Sequence, residues 1–561
     1  MRGKRDLTPT VALEEVNFVM TQSCKSWCWK LGLASCLAVG GAIASSFDCA
    51  KAQITPDGTL GAEHSVVTRS GSSDVIEGGA TRGRNLFHSF EQFSVPTNGE
   101  AHFNNSPAIQ NIISRVTGLS VSNIDGLIRA NGTANLFLLN PNGIIFGRNA
   151  SLDIRGSFVA STARAVKFAD GTQFSATAPQ TTPLLTISMP LGLQFGSTSG
   201  SILNKSQATD SSGQTVGLQV QPGKTLALVG GDIALEGGSL TSPGGRIELG
   251  SVAGPSLVSL TPIDKGWSLG YEGVQNFQDI KLSQGAEVDA SGSGGGDIQV
   301  QGRRVTLTDG SQIDASTRGS EPGGTLAVSA LESVEVTGTD NNPIPNPSAL
   351  LATVYSGATG AGGNVTLKTG RLILRDGGQI GTQTDGQGDA GILDVTATES
   401  VEVISEAKNG SSISGLFSQS GSKFSDTTAP PATGNAGKLR INTRQLIVQD
   451  GTVSVATFAR GNGGNLEVNA HNLVVEGGGS IRATVRDTAI GSGGKIGIKT
   501  GRLLLRDGGK ILASTSNVGN AGAIAVSADT ISLSGSDTGI LSSVNSAAVG
   551  SGGSIFIETG S

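Results

Sequence analysis

The feature that most constrains this fold is a repeat in the second half of the chain. Residues 362–380, GGNVTLKTGRLILRDGGQI, recur at 493–511 as GGKIGIKTGRLLLRDGGKI, with 13 of 19 positions identical. Weaker copies begin at 295 and 436, and a second unit, such as GGTLAVSALESVEVTG from 323, alternates with them. Repeats of this length are typical of solenoid proteins, in which each repeat buries its apolar residues against its neighbours.

The distances between the repeats favour stacked coils over hairpins. The number of residues from the glycine that opens a first unit to the glycine that opens the following second unit is nearly constant. The number of residues from that second unit to the next first unit varies. The first-unit glycines are Gly296, Gly363, Gly437 and Gly494, and the second-unit glycines are Gly324, Gly391, Gly464 and Gly522. Coils of nearly constant length therefore alternate with coils that carry insertions, and a meander of hairpins would not need such constancy.

The pattern within each unit predicts short strands. Apolar residues alternate with polar ones, and Asp-Gly steps such as Asp376-Gly377 mark turns. Together with the spacing, this pattern predicts an all-β chain, a right-handed parallel β-helix (β-solenoid) rod. We expect the insertions Asp340–Pro347 and 405–435 to emerge from one side of it.

A second informative stretch lies at 134–162. Its apolar runs 136–139 and 144–146 flank Asn140-Pro141-Asn142-Gly143. Pro141 fixes its own φ and favours an extended Asn140, Asn142 tolerates the left-handed region, and Gly143 suits the end of a turn. Apolar runs this short predict strands that are buried on both faces. The motif is therefore predicted to be a rigid corner between two covered strands, although the tetrapeptide alone is equally compatible with an ordinary turn.

The surroundings of this turn resemble the N-terminal secretion domain of the filamentous-haemagglutinin family, the exoproteins of two-partner secretion (TPS). Several separated segments agree in order, and the resemblance ends near Ala163. These segments are Ile54-Thr55-Pro56-Asp57-Gly58, Asn85-Leu86-Phe87-His88-Ser89-Phe90, Asn111-Ile112-Ile113-Ser114-Arg115-Val116-Thr117-Gly118 and the Asn-Pro-Asn-Gly turn. Family members usually carry two Asn-Pro-Asn motifs, and here Asn104-Asn105-Ser106-Pro107 stands in the place of the earlier one.

The resemblance implies a function as well as a fold. It implies a rod-shaped surface adhesin or matrix-type protein that is secreted across the outer membrane through a partner outer-membrane β-barrel transporter. The protein would then be extracellular or associated with the cell surface, where surface glycans or host-cell receptors are the implied ligands. It also implies that Asn140, Pro141, Asn142 and Gly143 help the transporter to engage the exoprotein.

Residues 1–52 have the pattern of a cleaved signal peptide. Basic residues precede an apolar run at 31–44, and Ala50-Lys51-Ala52 places small residues at the positions that a signal peptidase reads. Cleavage is therefore expected between Ala52 and Gln53. The alternative is an uncleaved membrane anchor, but an apolar run confined to 31–44 is short for a membrane span. All four cysteines lie in this leader, so the mature chain would have neither a disulfide nor a thiol nucleophile.

The remaining composition speaks against several classes of function. Beyond residue 52 the chain has 33 basic and 41 acidic residues, a net charge of −8, and no basic stretch with interleaved aromatic residues, so nucleic acid is not an expected partner. The histidines of this region show no metal-ligand spacing. They are His64, His88, His102 and His471. We expect no catalytic, cofactor or metal site, and a protein that is not an enzyme. The alternative is a carbohydrate-active enzyme, a polysaccharide lyase or hydrolase, because stacked coils of a β-helix can bring carboxylates together.

Four regions are predicted. Residues 1–52 are the signal peptide, 53–200 the secretion domain, 201–290 a β-helix continuation with a transition segment, and 291–561 the solenoid repeats. The boundary near 200 follows the aromatic content, because ten of the 17 phenylalanines lie between Phe87 and Phe195. The final residues, GGSIFIETGS, match the opening of a repeat, so we expect the repeats to be truncated at the C-terminus.

Overall fold

The computed structural model describes residues 54–179, 185–407, 410, 412–421, 431–486 and 488–560. Nearly all regular structure in this part of the chain is β-strand, apart from one turn of 3-10 helix at Gly61–Glu63. Among these residues no helix has the length and apolar character that crossing a membrane requires. Residues from Lys51 onward form one compact unit.

Each repeat is a coil that contains one long strand. The first half of this strand lies on one face of the β-helix, and its second half lies on a second face. The first of these strands, Asp297–Leu307, pairs in parallel with Arg246–Ser251 through its first half and with Ile280–Ser283 through its second half. The later ones stack on it in parallel with a register shift near the middle of most pairs. They are Thr325–Thr337, Asn364–Arg375, Leu393–Ile404, Lys438–Gln449, Asn465–Glu476, Ile496–Arg506 and Ile524–Ser534, with Ile555–Thr559 stacked on the first half of the last.

Short strands close each coil on a third face. They form a parallel 11-stranded sheet. These strands are Leu218–Gln219, Ser239–Thr241, Glu287–Asp289, Gln312–Asp314, Ala349–Val354, Gln379–Thr384, Gly415–Ser420, Thr452–Ser454, Ser480–Arg482, Lys510–Leu512 and Gly539–Leu541. Three parallel faces around one apolar interior make this a parallel β-helix, and the predicted fold class is confirmed.

The register on the first face reproduces the coil lengths read from the sequence. Ile298, Leu326, Val365 and Leu393 pair in succession, and each follows the glycine that opens its unit by the same offset. Each of these side chains is at most 1% exposed. An inward ladder of aliphatic residues therefore holds successive coils together, because each member buries its apolar surface against the coils above and below.

The Asp-Gly steps form corners, as predicted. Asp309, Asp376, Asp450 and Asp507 have φ between 52° and 57°. Asp is one of the few residues other than Gly that adopts this left-handed region at modest cost, since its short side chain bonds to nearby backbone. The left-handed backbone conformation at these corners thus explains why aspartate recurs there.

The insertions leave the β-helix at one corner. Residues 338–348 lie between Thr325–Thr337 and Ala349–Val354, and residues 405–414 lie between Leu393–Ile404 and Gly415–Ser420. Residues of the loop 338–348 and Ala407 line one groove of about 450 Å³, so the chain leaves the β-helix at the same corner in these two coils. The prediction of a single insertion over 405–435 was wrong. Strand Gly415–Ser420 interrupts it, because fully buried Leu416 belongs to the third face.

The N-terminal coils have the same three faces. Their first face contains Asn85–Phe93, Asn111–Val116, Asn135–Leu139, Phe158–Ser161, Thr225–Gly230 and Arg246–Ser251. The second contains Ser122–Ile124, Ile144–Phe146, Ile202–Asn204, Ile233–Glu236 and Ile280–Ser283. The third contains Ser65–Ser70, Ser73–Gly78, Glu100–Phe103, Leu127–Ala130 and Ser151–Asp153. Ile54–Pro56 and Ala80–Arg82 pair antiparallel with Asn85–Phe93.

An antiparallel sheet, here called the outer sheet, covers the first face of these coils from outside. Its strands are Ala165–Phe168, Gln173–Ser175, Pro190–Gln194, Leu257–Ile263 and Gly266–Gly270. In strand Asn135–Leu139, Leu136 and Leu138 face the β-helix interior, whereas Phe137 and Leu139 pack under the outer sheet. Burial on both faces is thus confirmed for this strand. It was wrong for Ile144–Phe146, because the side chain of Ile145 is only partly buried.

Candidate functional site

The Asn-Pro-Asn-Gly motif is a turn at the end of strand Asn135–Leu139. Gly143 N donates to Asn140 O at 3.1 Å, and Asn142 N donates to the side-chain oxygen of Asn140 at 3.0 Å. Gly143 has a φ of 127°, but Asn142 is not among the residues with positive φ. The predicted left-handed role of Asn142 was therefore wrong. In a β-turn with Pro at its second position, the third residue can have a negative φ.

The two amide side chains tie the turn to the preceding coil. Asn140 Nδ2 donates to Ser120 O and Ser122 Oγ, both at 2.9 Å, and Asn142 Nδ2 donates to Gly118 O at 2.8 Å. Asn140 is completely buried, whereas Pro141 and Asn142 are partly exposed. The turn therefore presents a small tip on a base whose polar groups are paired, which fixes its conformation.

The other segments that carry the family resemblance meet around Asp57 and Arg115. Asp57 accepts hydrogen bonds from the side chains of Thr59, Ser89 and Thr117. Burial raises the pKa of Asp57, but the hydrogen bonds from Thr117, Thr59 and Ser89 outweigh burial and leave the pKa below its ordinary value. Residues from three sequence segments thus form one polar cluster beside the first face.

Arg115 is the largest completely buried polar side chain of this cluster. Its Nε donates to Ser89 Oγ at 2.8 Å, and its two terminal nitrogens donate to Ser175 O at 2.6 Å and to Thr59 Oγ1 at 2.7 Å. The guanidinium carbon lies 4.1 Å from the centre of the Phe174 ring. Burial lowers the pKa of Arg115 to about 10, against the opposing effect of Asp57. Arg115 therefore joins the β-helix face to the outer sheet.

Three asparagines form a ladder that was not predicted from the sequence. Asn85, Asn111 and Asn135 pair in register at the start of three stacked strands. Asn111 Nδ2 donates to Asn85 Oδ1, and Asn135 Nδ2 donates to Asn111 Oδ1, both at 3.0 Å. Each asparagine begins a strand with an aliphatic run after it, in the segments NLFHSF, NIISRV and NLFLL, and that recurrence was the available signal.

The segment at the place of the earlier Asn-Pro-Asn motif also carries a structural asparagine. Asn105 is buried, and its Oδ1 accepts a hydrogen bond from Asn131 N at 2.9 Å. Asn131 Nδ2 in turn donates to Asn104 Oδ1 at 2.9 Å. These bonds connect two successive coils, in the same manner as the intact turn.

The last strand of the outer sheet is held by outward side chains of the first face. Thr225 Oγ1 accepts from Trp267 N at 2.9 Å, and Glu248 Oε1 accepts from Leu269 N at 3.2 Å. Glu248 is completely buried, and burial raises its pKa to about 7, partly offset by Arg246. The free edge of strand Gly266–Gly270 is thus capped by side chains instead of by another strand.

The carboxylates that the enzyme alternative would need are stacked on the third face. Asp289 and Asp314 pair in register, and Arg318 lies 3.3 Å from Asp289. Burial, with the charge of Asp289, raises the pKa of Asp314 to about 7. Only 7% of Asp314 is exposed, and Tyr355 and Ser316 donate to it. A carboxylate enclosed in this way is poorly placed to meet a substrate.

One buried histidine and the predicted cleavage site remain to be described. His88 is buried in the core, 5.9 Å from the Phe90 ring and 5.5 Å from the Phe103 ring, and burial lowers its pKa to about 3. In the described part of the chain no group of three or more His, Cys, Asp or Glu side chains is placed to hold a metal ion. Ala52, Gln53 and the four cysteines lie outside the described residues.

Comparisons with known proteins find one matching family and several similar solved structures. A family model described as the TPS secretion domain matches residues 52–300. Among solved structures, the chain is similar to the HMW1 secretion domain from Haemophilus influenzae, with 15% identity, a TM-score of 0.39, and coverage of 90% of this chain and 100% of that one. It is also similar to the filamentous hemagglutinin secretion domain, with 18% identity, a TM-score of 0.28, and coverage of 62% and 98%. No curated protein matches.

The family match agrees with the resemblance read from the sequence and gives the enzyme alternative no support. Asp57, Arg115 and the Asn140–Gly143 turn all fall within the matched residues. Residues 52–300 are therefore a TPS secretion domain of the filamentous-haemagglutinin type.

Proposed function

We propose that a partner outer-membrane β-barrel transporter recognises residues 52–300 and exports the chain to the cell surface or the medium. The match of these residues to the TPS secretion domain carries the proposal. The leader before residue 53 would first direct the chain across the inner membrane, with cleavage between Ala52 and Gln53.

Within this domain, the Asn140–Gly143 turn is proposed as one contact for the transporter. Its support is geometric: Pro141 and Asn142 are partly exposed, while buried Asn140 and the bond from Asn142 to Gly118 hold the tip in place. A contact surface that is already ordered loses little conformational entropy on binding, which favours recognition by a small motif.

The repeats are proposed to act outside the cell as a surface adhesin or matrix-type protein, with surface glycans or host-cell receptors as ligands. The two insertions support this proposal, because loops on a regular scaffold commonly carry recognition. The loop 338–348 and Ala407 line a common groove, to which Asp340 and Asn342 contribute polar side chains.

Export is tested by producing the full chain in a bacterium that lacks the system, with and without the transporter. Wild-type chain should reach the medium only when the transporter is present, and its first residue should be Gln53. Asn142→Asp removes the donor to Gly118 O and should reduce the exported amount several-fold. Asn341→Asp, in the exposed part of the insertion loop, is the matched control and should be exported normally.

Three results would contradict these proposals. Export of wild-type chain without the transporter would refute recognition of residues 52–300. Equal export of Asn142→Asp and Asn341→Asp would leave the turn with a structural role alone. For the repeats, exported chain should bind glycans or cells without altering them, and release of cleaved glycan would favour the enzyme alternative.

A further inference from the structure

Two arginines lie close together on the outer surface of the third face, where the chain continues past the strand that ends at Arg482. Backbone hydrogen bonds from Ala483 and Val485 to the next coil keep this continuation extended. Both of these residues are completely buried and face the interior. Because side chains alternate along an extended chain, Arg482, Thr484 and Arg486 share the outer surface.

Arg482 is partly exposed and is bonded through one of its three guanidinium nitrogens. Its Nε donates to Ser480 Oγ at 2.6 Å, whereas its two terminal nitrogens have no hydrogen-bond partner among the described residues. Burial lowers the pKa of Arg482, and the nearby charge of Arg486 lowers it further. In the described part of the chain no carboxylate pairs with this cation. Its terminal N–H donors are therefore available to a ligand.

Arg486 contacts an aromatic ring. Its guanidinium carbon lies 5.4 Å from the centre of the Phe458 ring, which belongs to the preceding coil. Both side chains are partly exposed. A cation–π contact uses the charge of a guanidinium but none of its N–H donors. Arg486 is thus positioned by Phe458 without losing its capacity to bind an anion.

The residues in register with the two arginines are neutral. The strand pairing places six of them on the outer surface beside the arginines. They are Ser454, Ala456 and Phe458 in the preceding coil and Leu512, Ser514 and Ser516 in the following coil. Thr484, between the arginines, is 5% exposed, and its Oγ1 has no hydrogen-bond partner among the described residues. This patch therefore combines two positive charges with an unpaired hydroxyl, which suits an anionic ligand.

We propose that Arg482 and Arg486 each bind a carboxylate group of one acidic polysaccharide, a polymer of uronic-acid residues, which lies along the outer surface of the third face. Arginine pairs with planar carboxylates through two parallel hydrogen bonds. The proposal rests on the proposed adhesin or matrix function of the repeats, for which it names a ligand class and a site apart from the insertions.

The separation of the two arginines favours a polymer over a single small anion. They are four residues apart on one extended stretch, so their Cα atoms are separated by about 13 Å. Arg482 is bonded toward Ser480, away from Arg486, and Arg486 contacts Phe458. Each guanidinium therefore takes its own carboxylate, and when both belong to one chain, the first contact raises the effective concentration of the second. Because the chain beyond residue 52 has a net charge of −8, a general attraction of polyanions does not provide this binding.

The test measures binding of the purified full-length chain to immobilised polygalacturonate and alginate, with methyl-esterified polygalacturonate as the uncharged control. Wild-type chain should bind a polyuronate and not the esterified polymer. Arg482→Gln and Arg486→Gln should each weaken binding about tenfold, because the charge-assisted hydrogen bonds to one carboxylate are lost. Arg502→Gln removes the same charge from an exposed arginine of the second face and should leave binding unchanged. Urea unfolding of all three variants should match that of the wild type.

Unchanged binding of both Arg482→Gln and Arg486→Gln would overturn the inference. Equal binding of the wild type to dextran sulfate would also overturn it, in favour of a patch for any polyanion. Full competition by monomeric galacturonate at the same concentration of carboxylate would do so in favour of a site for free anions. Wild-type chain that binds other glycans or cells, but neither polyuronate, would overturn the inference and leave the proposed function intact. Failure of the wild type to bind any glycan or cell would refute the proposed function of the repeats itself.

Discussion

Asn140→Asp is the change that most directly probes how the Asn-Pro-Asn-Gly turn is held. Asn140 is completely buried, and its Nδ2 group donates to Ser120 O and Ser122 Oγ at 2.9 Å. An aspartate keeps the oxygen that accepts from Asn142 but replaces the donor with a second oxygen. The Ser122 hydroxyl can rotate to donate to that oxygen, whereas the Ser120 carbonyl cannot.

The expected cost is about 3 kcal/mol at pH 7, the sum of two effects. One neutral hydrogen bond contributes about 1 kcal/mol, and enclosing a carboxylate that faces a carbonyl oxygen costs about 2 kcal/mol more. Burial raises the pKa of the introduced carboxyl, so it destabilises the fold above the unfolded-state pKa near 4, and increasingly as the pH rises. At lower pH the protonated form regains one donor for Ser120 O, and the deficit should shrink.

Trp267 provides the readout. It is the one tryptophan after residue 52, is 4% exposed, and packs edge-on against Phe137 at 5.4 Å, in the strand that leads into the turn. Urea unfolding followed by its fluorescence, at pH 7 and at pH 5, compares Asn140→Asp with wild type, and Asn341→Asp serves as the exposed control. A deficit below about 0.5 kcal/mol at pH 7, or one that does not change with pH, would refute this account of the turn.

Three further predictions use other buried groups. The pKa of His88 is about 3 in the folded state and about 6.5 in the unfolded state, so the free energy of unfolding should be highest above pH 6.5 and about 2 kcal/mol lower at pH 5. In urea unfolding, His88→Gln should lose this pH dependence. The same pH dependence in the variant and the wild type would contradict the prediction. Phe174→Ala should lower the free energy of unfolding by about 3 to 4 kcal/mol, because the Phe174 ring packs on Arg115 and Phe87. The measurement is unfolding detected by Trp267 fluorescence. A decrease below about 1 kcal/mol would show that the ring contributes little to stability. The pKa of Asp314 is raised from 3.8 to about 7, so its charged form destabilises the fold at high pH. Asp314→Asn should therefore stabilise the chain by about 4 kcal/mol at pH 8 and by little at pH 4 in thermal unfolding. Destabilisation at pH 8 would refute this sign.

The repeats could be predicted from the sequence because their information is local. Inward residues alternate with outward ones, and Asp-Gly steps mark corners, so equal spacing between glycines becomes equal register between coils. Ile298, Leu326 and Val365 pair at the spacing that the glycines give. Each coil contacts its immediate neighbours, and that limits how many arrangements fit the pattern.

The outer sheet could not be predicted in the same way. Its strands Ala165–Phe168 and Pro190–Gln194 pair antiparallel, and the second also pairs with Leu257–Ile263, which is distant in the sequence. No period in the sequence encodes such a pairing, which depends on apolar surface left on the outside of the first face. The continuous apolar run around Phe137 indicated that such a surface exists, but it did not indicate which strands cover it.

The segment Arg115–Gly118 explains why the turn and the polar cluster around Asp57 need separate tests. Arg115 donates to Ser89, Thr117 donates to Asp57, and Gly118 O accepts the amide of Asn142 at 2.8 Å. A change at Arg115 would therefore disturb the polar cluster and the base of the turn together, and lost export could not be assigned to either. Asn142→Asp removes one bond of the turn while the bonds of Arg115 and Asp57 stay in place, so its effect on export can be assigned to the turn.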